Sequence, residues 1–223
     1  MGRMIAFIPA RSGSKSIPKK NIKNFNGKPL IHWVINAALN CDLIDHVYVS
    51  TDGDEIAEKV KLISNKKLSV VKRSDKTSTD TASTESAMFE FAKDHEFDNI
   101  ILIQPTSPLL NNIDLESAIN KYNIYNADSL LSVVRQKRFI WKESKSYIKP
   151  VNYDPQSRPL RQDFEGFYIE NGAFYITSRK ALYDSNSRIS GNVIFYEMHE
   201  NTYFEIDDPS DWIIAESLHK YNN

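Results

Sequence analysis

Three groups of residues carry types and spacings that can do chemistry. Between Ile8 and Asn21 the chain reads IPARSGSKSIPKKN, an apolar run that empties into a loop of Ser and Gly with Arg11, Lys15 and Lys20. Backbone N–H groups and cationic side chains in such a loop can surround phosphate. Near the other end of the chain, FEIDDPSDW places Glu205 and Asp207 on one face of an expected strand end, because side chains alternate along extended backbone. Two hard-oxygen ligands facing a phosphate site suit Mg²⁺, which binds through one or two carboxylates plus substrate phosphates. Asp208 before Pro209 also reads as an ordinary helix start. Asp208 and Asp211 are therefore expected to serve the helix and Asp207 the metal, with Glu205 open to either role. The third group follows apolar strands: Arg73 with the hydroxyl-rich run Asp80–Thr84, and Gln104-Pro-Thr-Ser-Pro108. A glutamine at such a strand end needs partners for both its oxygen and its nitrogen, and a polar substrate would supply them.

The charge distribution supports an anion site. The 223 residues carry 28 Lys+Arg against 29 Asp+Glu, a net charge of −1, yet Met1 to Cys41 holds seven cations and no acid. The other 21 cations share the rest of the chain with all 29 acids. An ordinary solvated loop mixes signs; this one does not. A local cationic segment in a neutral protein argues for one anion site and against a surface that coats nucleic acid or membrane. The loop is neither a Walker A sequence nor a G-x-G-x-x-G turn. The five histidines show no metal-binding spacing, and neither a Ser-His-Asp triad nor an RNA-binding aromatic signature is present.

Positioning these groups falls to a strand–helix alternation. Strands are expected at Met4–Ile8, His46–Thr51, Leu68–Lys72, Asn99–Ile103 and Ser129–Val134. Helices are expected at Leu30–Leu39, Glu55–Ile63, from a cap at Ser83 or Thr84 to Lys93, and at Asp114–Tyr122. Alternation of this kind gives an α/β fold with a mainly parallel sheet covered on both faces. Ligands bind such sheets outside the C-terminal strand ends, which puts Pro9–Asn21, Thr51–Asp54 and Gln104–Pro108 on one rim. The pattern breaks over 135–170, rich in charge, aromatics and proline, which reads as a lid or an oligomer contact. A strand at Gly172–Thr177, a short helix at Arg179–Tyr183, a strand at Val193–Met198 and a helix from Pro209 to His219 are expected to follow.

Composition is that of a globular chain, with 41% hydrophobic and 11% aromatic residues. The length suits one domain spanning 1–223, with 135–170 inserted. A lone cysteine, Cys41, excludes an intramolecular disulfide and closes an apolar helical pattern, so it reads as a packing residue. No run is apolar enough for a membrane span or a signal peptide. A soluble cytoplasmic protein is the expectation.

The segments IPARSGSKSIPKKNI, KPLIHWVINAAL, VYVSTDGDEIA, KRSDKTSTDTAS, LIQPTSPL, RQDFEGFYIENGAFYI and EIDDPSDW, in this order from residue 5 to about 216, resemble the CMP-sialic acid synthetases, the acylneuraminate cytidylyltransferases. The resemblance implies a Rossmann-like α/β/α nucleotidyltransferase fold with an inserted dimerisation segment, and a homodimer. It implies transfer of CMP from CTP to the anomeric hydroxyl of a nonulosonic acid with release of pyrophosphate. N-acetylneuraminate is the first expectation, with legionaminate and pseudaminate close behind, and Mg²⁺ or Mn²⁺ the cofactor. On the matching positions, Arg11, Lys15 and Lys20 fall on triphosphate ligands, and Asn21, Arg73 and Thr84 on nucleotide contacts. Gln104, Arg161, Asn171 and Tyr175 fall on the sugar side. Asp207 matches the metal aspartate, with Glu205 where the family usually has a second Asp. Catalysis is expected of Arg11, Lys20 and Asp207. Two alternatives remain: a CMP-3-deoxy-manno-octulosonate synthetase, whose usual G-[DE]-[EQ]-P segment is replaced here by QPTSP, and a non-catalytic nucleotide-binding protein.

Overall fold

Alternation along the first strand sets the layers. In the computed structural model, which describes residues 2–222, the outermost positions of the expected unit, Met1 and Asn223, lie outside the described residues. The elements run β1 (Met4–Pro9), β2 (Asn24–Phe25), β3 (Lys28–Pro29), α1 (Leu30–Leu39), β4 (His46–Thr51), α2 (Asp54–Lys61), β5 (Leu68–Lys72) and α3 (Thr84–Asp94). They continue with β6 (Asn99–Ile103), α4 (Asn112–Ile124), β7 (Ser129–Gln136), β8 (Trp141–Ser144) and β9 (Tyr147–Pro150). β10 (Phe167–Ser178), α5 (Arg179–Ser185), β11 (Val193–Met198) and α6 (Pro209–Asn222) close the chain. Ala6 and Ile8 of β1 pack with Ile31 and Ile35 of α1 and Leu115 and Ile119 of α4. Ile5 and Phe7 pack on the opposite side with Met88 and Phe91 of α3 and Leu182 of α5. Both faces of β1 are thus covered, which is why its sequence is continuously apolar instead of alternating with polar residues.

Seven strands form the central sheet in the order β11-β7-β10-β6-β1-β4-β5. Only β10 runs against its neighbours, antiparallel to β6 and to β7. The mainly parallel α/β/α architecture expected from the alternation is the one observed. Among the described residues no helix is long and apolar enough to cross a membrane.

Two local features bear on the site. The expected strand Gly172–Thr177 is longer, Phe167–Ser178, and its pairing with β7 shifts register between Glu170 and Tyr175. Gly172 sits in this irregularity with φ +62°, and a β-carbon there would come within 1.6 Å of Glu205 Oε1. Only glycine adopts that backbone without penalty and leaves room for the carboxylate. The second feature corrects an expectation. Glu205 and Asp207 are not at a strand end but in an irregular segment between the short 3₁₀ turn Glu200–Tyr203 and α6. What holds that segment is packing: Ile206, fully buried, joins Ile17, Phe25, Leu30, Trp212 and Ala215 in a separate apolar cluster. Burying one such side chain contributes about 1.5–3 kcal/mol. The Ile206 N–H also donates to the Thr106 carbonyl at 3.0 Å. A residue near the C-terminal end of the chain is thereby pinned against both the first loop and the loop after β6.

The segment over 135–170 is partly absorbed by the ends of β7 and β10. Between them stands the β8–β9 hairpin, with Trp141, Tyr147 and Ile148 exposed.

Candidate active site

Two of the three segments expected on the rim, Pro9–Asn21 and Gln104–Pro108, line a cleft of about 360 Å³, while Gly53 and Asp54 of the third line a neighbouring cavity. Arg11, Lys15, Lys20, Asn21, Arg73, Thr84, Gln104 and Asp207 all line the cleft. Their delivery depends on three loops at the C-terminal ends of parallel strands, with the segment before α6 closing the fourth side.

The loop after β1 is tied down at both ends. Ser12 donates from its backbone N–H (2.8 Å) and its hydroxyl (2.7 Å) to the Asp52 carboxylate beyond β4. Asn21, buried, donates from Nδ2 to the Arg11 carbonyl at 3.0 Å. Its side-chain N–H therefore shapes the loop from within. Lys20 Nζ donates to the Ile206 carbonyl at 2.6 Å and stands 3.4 Å from Asp207 Oδ1, with its side chain only 13% exposed. A lysine folded down this way presents its charge to the cleft from a fixed position. The Ser16 hydroxyl donates to the Asp207 carbonyl, a further tie between the two ends of the chain.

Asp80, at the head of the hydroxyl-rich run, bridges two of the cations. It pairs with Arg11 and, at 2.5 Å, with Lys15. Hydrogen bonds from Lys15 and then Arg11 hold its carboxyl below the usual range. The signal in the sequence is an acid at the head of a hydroxyl-bearing run, in a chain whose first 41 residues carry cations and no acid. Arg73 is buried, donates to the Thr77 carbonyl and leaves Nε without a partner. Burial lowers its pKa, against the opposing charges of Asp52 and Glu90. A buried donor without a partner costs free energy, so this guanidinium is suited to an oxygen-bearing ligand. Ser83, not Thr84, is the cap of α3, accepting from the Ser86 N–H at 3.1 Å. Thr84 is thereby left to face the cleft.

The two carboxylates stand in different surroundings. Asp207 is exposed at 75% of its side chain, whereas Glu205 is half-buried against Gly172. Burial, and next the Asp207 charge, push the Glu205 carboxyl up to about 7. Asp208 and Asp211 do serve α6: Asp208 Oδ1 accepts from the N–H groups of Ser210 and Asp211, and Asp211 Oδ2 accepts from those of Asp207 and Asp208. No cluster of three or more His, Cys, Asp or Glu able to hold a metal exists among the described residues. A pair of carboxylates does fit a hard cation such as Mg²⁺, which takes the rest of its coordination from phosphate and water.

The sugar-side candidates are less unified. Gln104 lines the cleft, its backbone N–H donating to the Ala173 carbonyl at 3.0 Å. Asn171 is buried beside the glycine, donating from Nδ2 to Thr202 and leaving Oδ1 without a partner. The Tyr175 hydroxyl donates to Glu170 Oε2 at 3.0 Å. Burial and then Glu170 raise its pKa. Arg161 lies elsewhere, lining a cavity of about 530 Å³ with Arg135, Lys137 and Arg138.

A mainly parallel sheet between helical layers, with this cleft at its C-terminal rim, is the α/β nucleotidyltransferase fold. The chain belongs to the cytidylyltransferase family, whose model matches residues 5–222. It is 42% identical to N-acylneuraminate cytidylyltransferase A of Danio rerio over 216 residues, 95% of this chain and 49% of that protein. It thus spans about half the length of that relative. It is 30% identical to a pseudaminic acid cytidylyltransferase of Campylobacter jejuni, with 98% of this chain and 97% of that protein covered. A solved CMP:2-keto-3-deoxy-manno-octonic acid synthetase complexed with CTP shares the fold at TM-score 0.75 and 17% identity, covering 99% of this chain and all of the other.

Proposed function

We propose that this chain transfers CMP from CTP to the anomeric hydroxyl of a nonulosonic acid, N-acetylneuraminate foremost, releasing pyrophosphate. The observation that carries this reading is the convergence of Arg11, Lys15, Lys20, Arg73 and Asp207 on one cleft. The names of the relatives supply the substrate class. The acid's hydroxyl oxygen attacks the α-phosphorus, the bond to the α–β bridging oxygen breaks, and the hydroxyl proton passes to solvent. Arg11, Lys15 and Lys20 surround the triphosphate and stabilise the charge that gathers on departing pyrophosphate. Asn21, Arg73 and Thr84 hold the nucleotide; Gln104 meets the acid in the cleft, and Asn171 and Tyr175 serve it from buried positions outside the cleft lining. Asp207, with Glu205, would hold Mg²⁺ or Mn²⁺. The chemistry such a cation supplies when bound is neutralisation of phosphate-oxygen charge. Binding it would also offset the repulsion between the two carboxylates.

Arg161 enters this reading through the 135–170 segment. The exposed Trp141, Tyr147, Ile148 and Leu160 fit a homodimer contact, and Arg161 would reach an acid from there. The lone buried thiol of Cys41 suits a reducing compartment, and a cytoplasmic location is part of the proposal.

Pyrophosphate release tests it, with CTP, Mg²⁺ and, in turn, N-acetylneuraminate, legionaminate, pseudaminate and 3-deoxy-manno-octulosonate. Release with a nine-carbon acid is expected. Release with the eight-carbon acid alone would reassign the substrate, and none with any acid would leave a nucleotide-binding protein.

A further inference from the structure

Among the ion pairs of the described residues, one buries both partners more deeply than the rest. Arg188 Nε stands 2.6 Å from Glu85 Oε1, with side chains 23% and 20% exposed. Glu85 is in the first turn of α3, directly after the cleft-lining Thr84. Arg188 belongs to the connection between α5 and β11 and lies far from Glu85 in sequence. The contact continues beyond the pair. The Arg188 guanidinium carbon lies 5.0 Å from the centre of the Tyr175 ring, and the Tyr175 hydroxyl donates to Glu170 Oε2 at 3.0 Å. Glu170 and Tyr175 bound the register shift of β10, where Gly172 admits Glu205. A continuous series of polar and ring contacts therefore runs from the helix start on the nucleotide side to the strand on the acid side.

Neither Glu85 nor Arg188 lines the cleft, so neither is placed to touch substrate. Their geometry suits a different task. A guanidinium clamped by a carboxylate and lying over a ring fixes that ring more tightly than apolar packing alone, because its plane and charge are both held. We propose that Arg188, clamped by Glu85, is a positioning residue that sets Tyr175 and Glu170 for the acid substrate. This rests on the cytidylyltransferase reading above, and specifically on Tyr175 serving the acid. A misplacement of about 1 Å in a group that orients substrate can lower rates by up to about 10²-fold, so the effect is measurable even without direct contact.

The test compares wild type with Arg188→Gln, Arg188→Lys and Glu85→Gln, measuring kcat, KM for CTP, KM for the acid and the thermal midpoint. Arg188→Gln is expected to raise the acid's KM by roughly 10-fold, within the range a misplaced orienting group produces, while CTP's KM changes less than about twofold. Glu85→Gln should shift the same constant in the same direction, because it frees the guanidinium. Arg188→Lys should fall between, keeping the charge but losing the plane over the ring. An unchanged acid KM in Arg188→Gln would overturn the proposal, as would equal rises for both substrates, the mark of general loosening. Should Arg188→Gln not fold, Glu85→Gln and Arg188→Lys carry the same comparison. A wild type that turns over no acid would overturn the functional reading and this inference together; an active wild type with indifferent variants overturns only the inference.

Discussion

The two halves of the candidate site are positioned by different means. On the side proposed for the nucleotide, Arg11, Lys15, Lys20, Asn21, Arg73 and Thr84 meet in one space because each follows a strand of a parallel sheet or stands at the start of the helix after it. On the side proposed for the acid, Gln104 reaches that space, Asn171 lies within and Tyr175 at the edge of the irregular stretch of antiparallel β10, and Arg161 lines another cavity. Parallel topology brings loops to one rim as a matter of course. An antiparallel strand with a register shift and an inserted hairpin does not, and its side chains are placed by particular contacts such as Gly172 against Glu205.

The comparison can be broken by substitution. Lys20→Gln removes the cation fixed between the Ile206 carbonyl and Asp207. On the proposed mechanism kcat should fall by about 10²–10³-fold, the usual cost of losing one preorganised charge stabiliser. Steady-state kinetics in CTP check this, and a loss below about fivefold would place the triphosphate elsewhere.

Gly172→Ala acts on the acid side. The left-handed backbone alone costs a residue with a β-carbon about 1–2 kcal/mol, and the new methyl group must displace the Glu205 carboxylate. A lowered melting midpoint and an activity loss of about tenfold are expected, with CTP affinity by calorimetry little changed.

Arg161→Gln sharpens the contrast further. CTP binding should stay within about twofold, since Arg161 is outside the cleft, while the acid's KM should rise about tenfold, as for one charge-assisted hydrogen bond. A fall in CTP affinity would show that the two halves are not separable in this way.

The smallest functional effect is expected at Cys41. It is fully buried, and burial pushes its thiol up to about 11. The thiolate is the reactive form, so a thiol reagent at pH 8 should label the native protein far more slowly than the urea-unfolded chain, with activity unchanged before labelling. Rapid native labelling would contradict the packing role.

The same division governs what was legible in the sequence. β4, β5, β6, β11 and α1 stand where apolar periodicity put them, because each is a plain covered strand or helix with clear ends. The β2–β3 hairpin is too short to show in apolar periodicity; its signal is Asn26-Gly27, both at positive φ, a usual pair for a tight two-residue turn. β10 extends beyond the expected Gly172–Thr177 because Asn171-Gly172 interrupts its alternation. Glu205 and Asp207 lie in an irregular segment instead of at the expected strand end; their proximity to Lys20 comes from Ile206 packing with Ile17 and Phe25, a long-range contact that periodicity does not encode. Asp80 and Arg188 act through partners distant in sequence, and side-chain pairing of that kind has no local signature.

On the proposed mechanism one cleft, lined by Asp207 among others, performs cytidylyl transfer. Phosphorus NMR of CTP, Mg²⁺ and N-acetylneuraminate with wild type and Asp207→Asn tests it most directly. Asp207 is exposed, so the variant should fold normally. The account predicts conversion of the triphosphate signals to a phosphodiester and pyrophosphate with wild type, slowed at least about 10²-fold in the variant, the scale set by losing a transition-state charge partner. Equal conversion by both proteins, or formation of CMP and pyrophosphate without the phosphodiester, would contradict it.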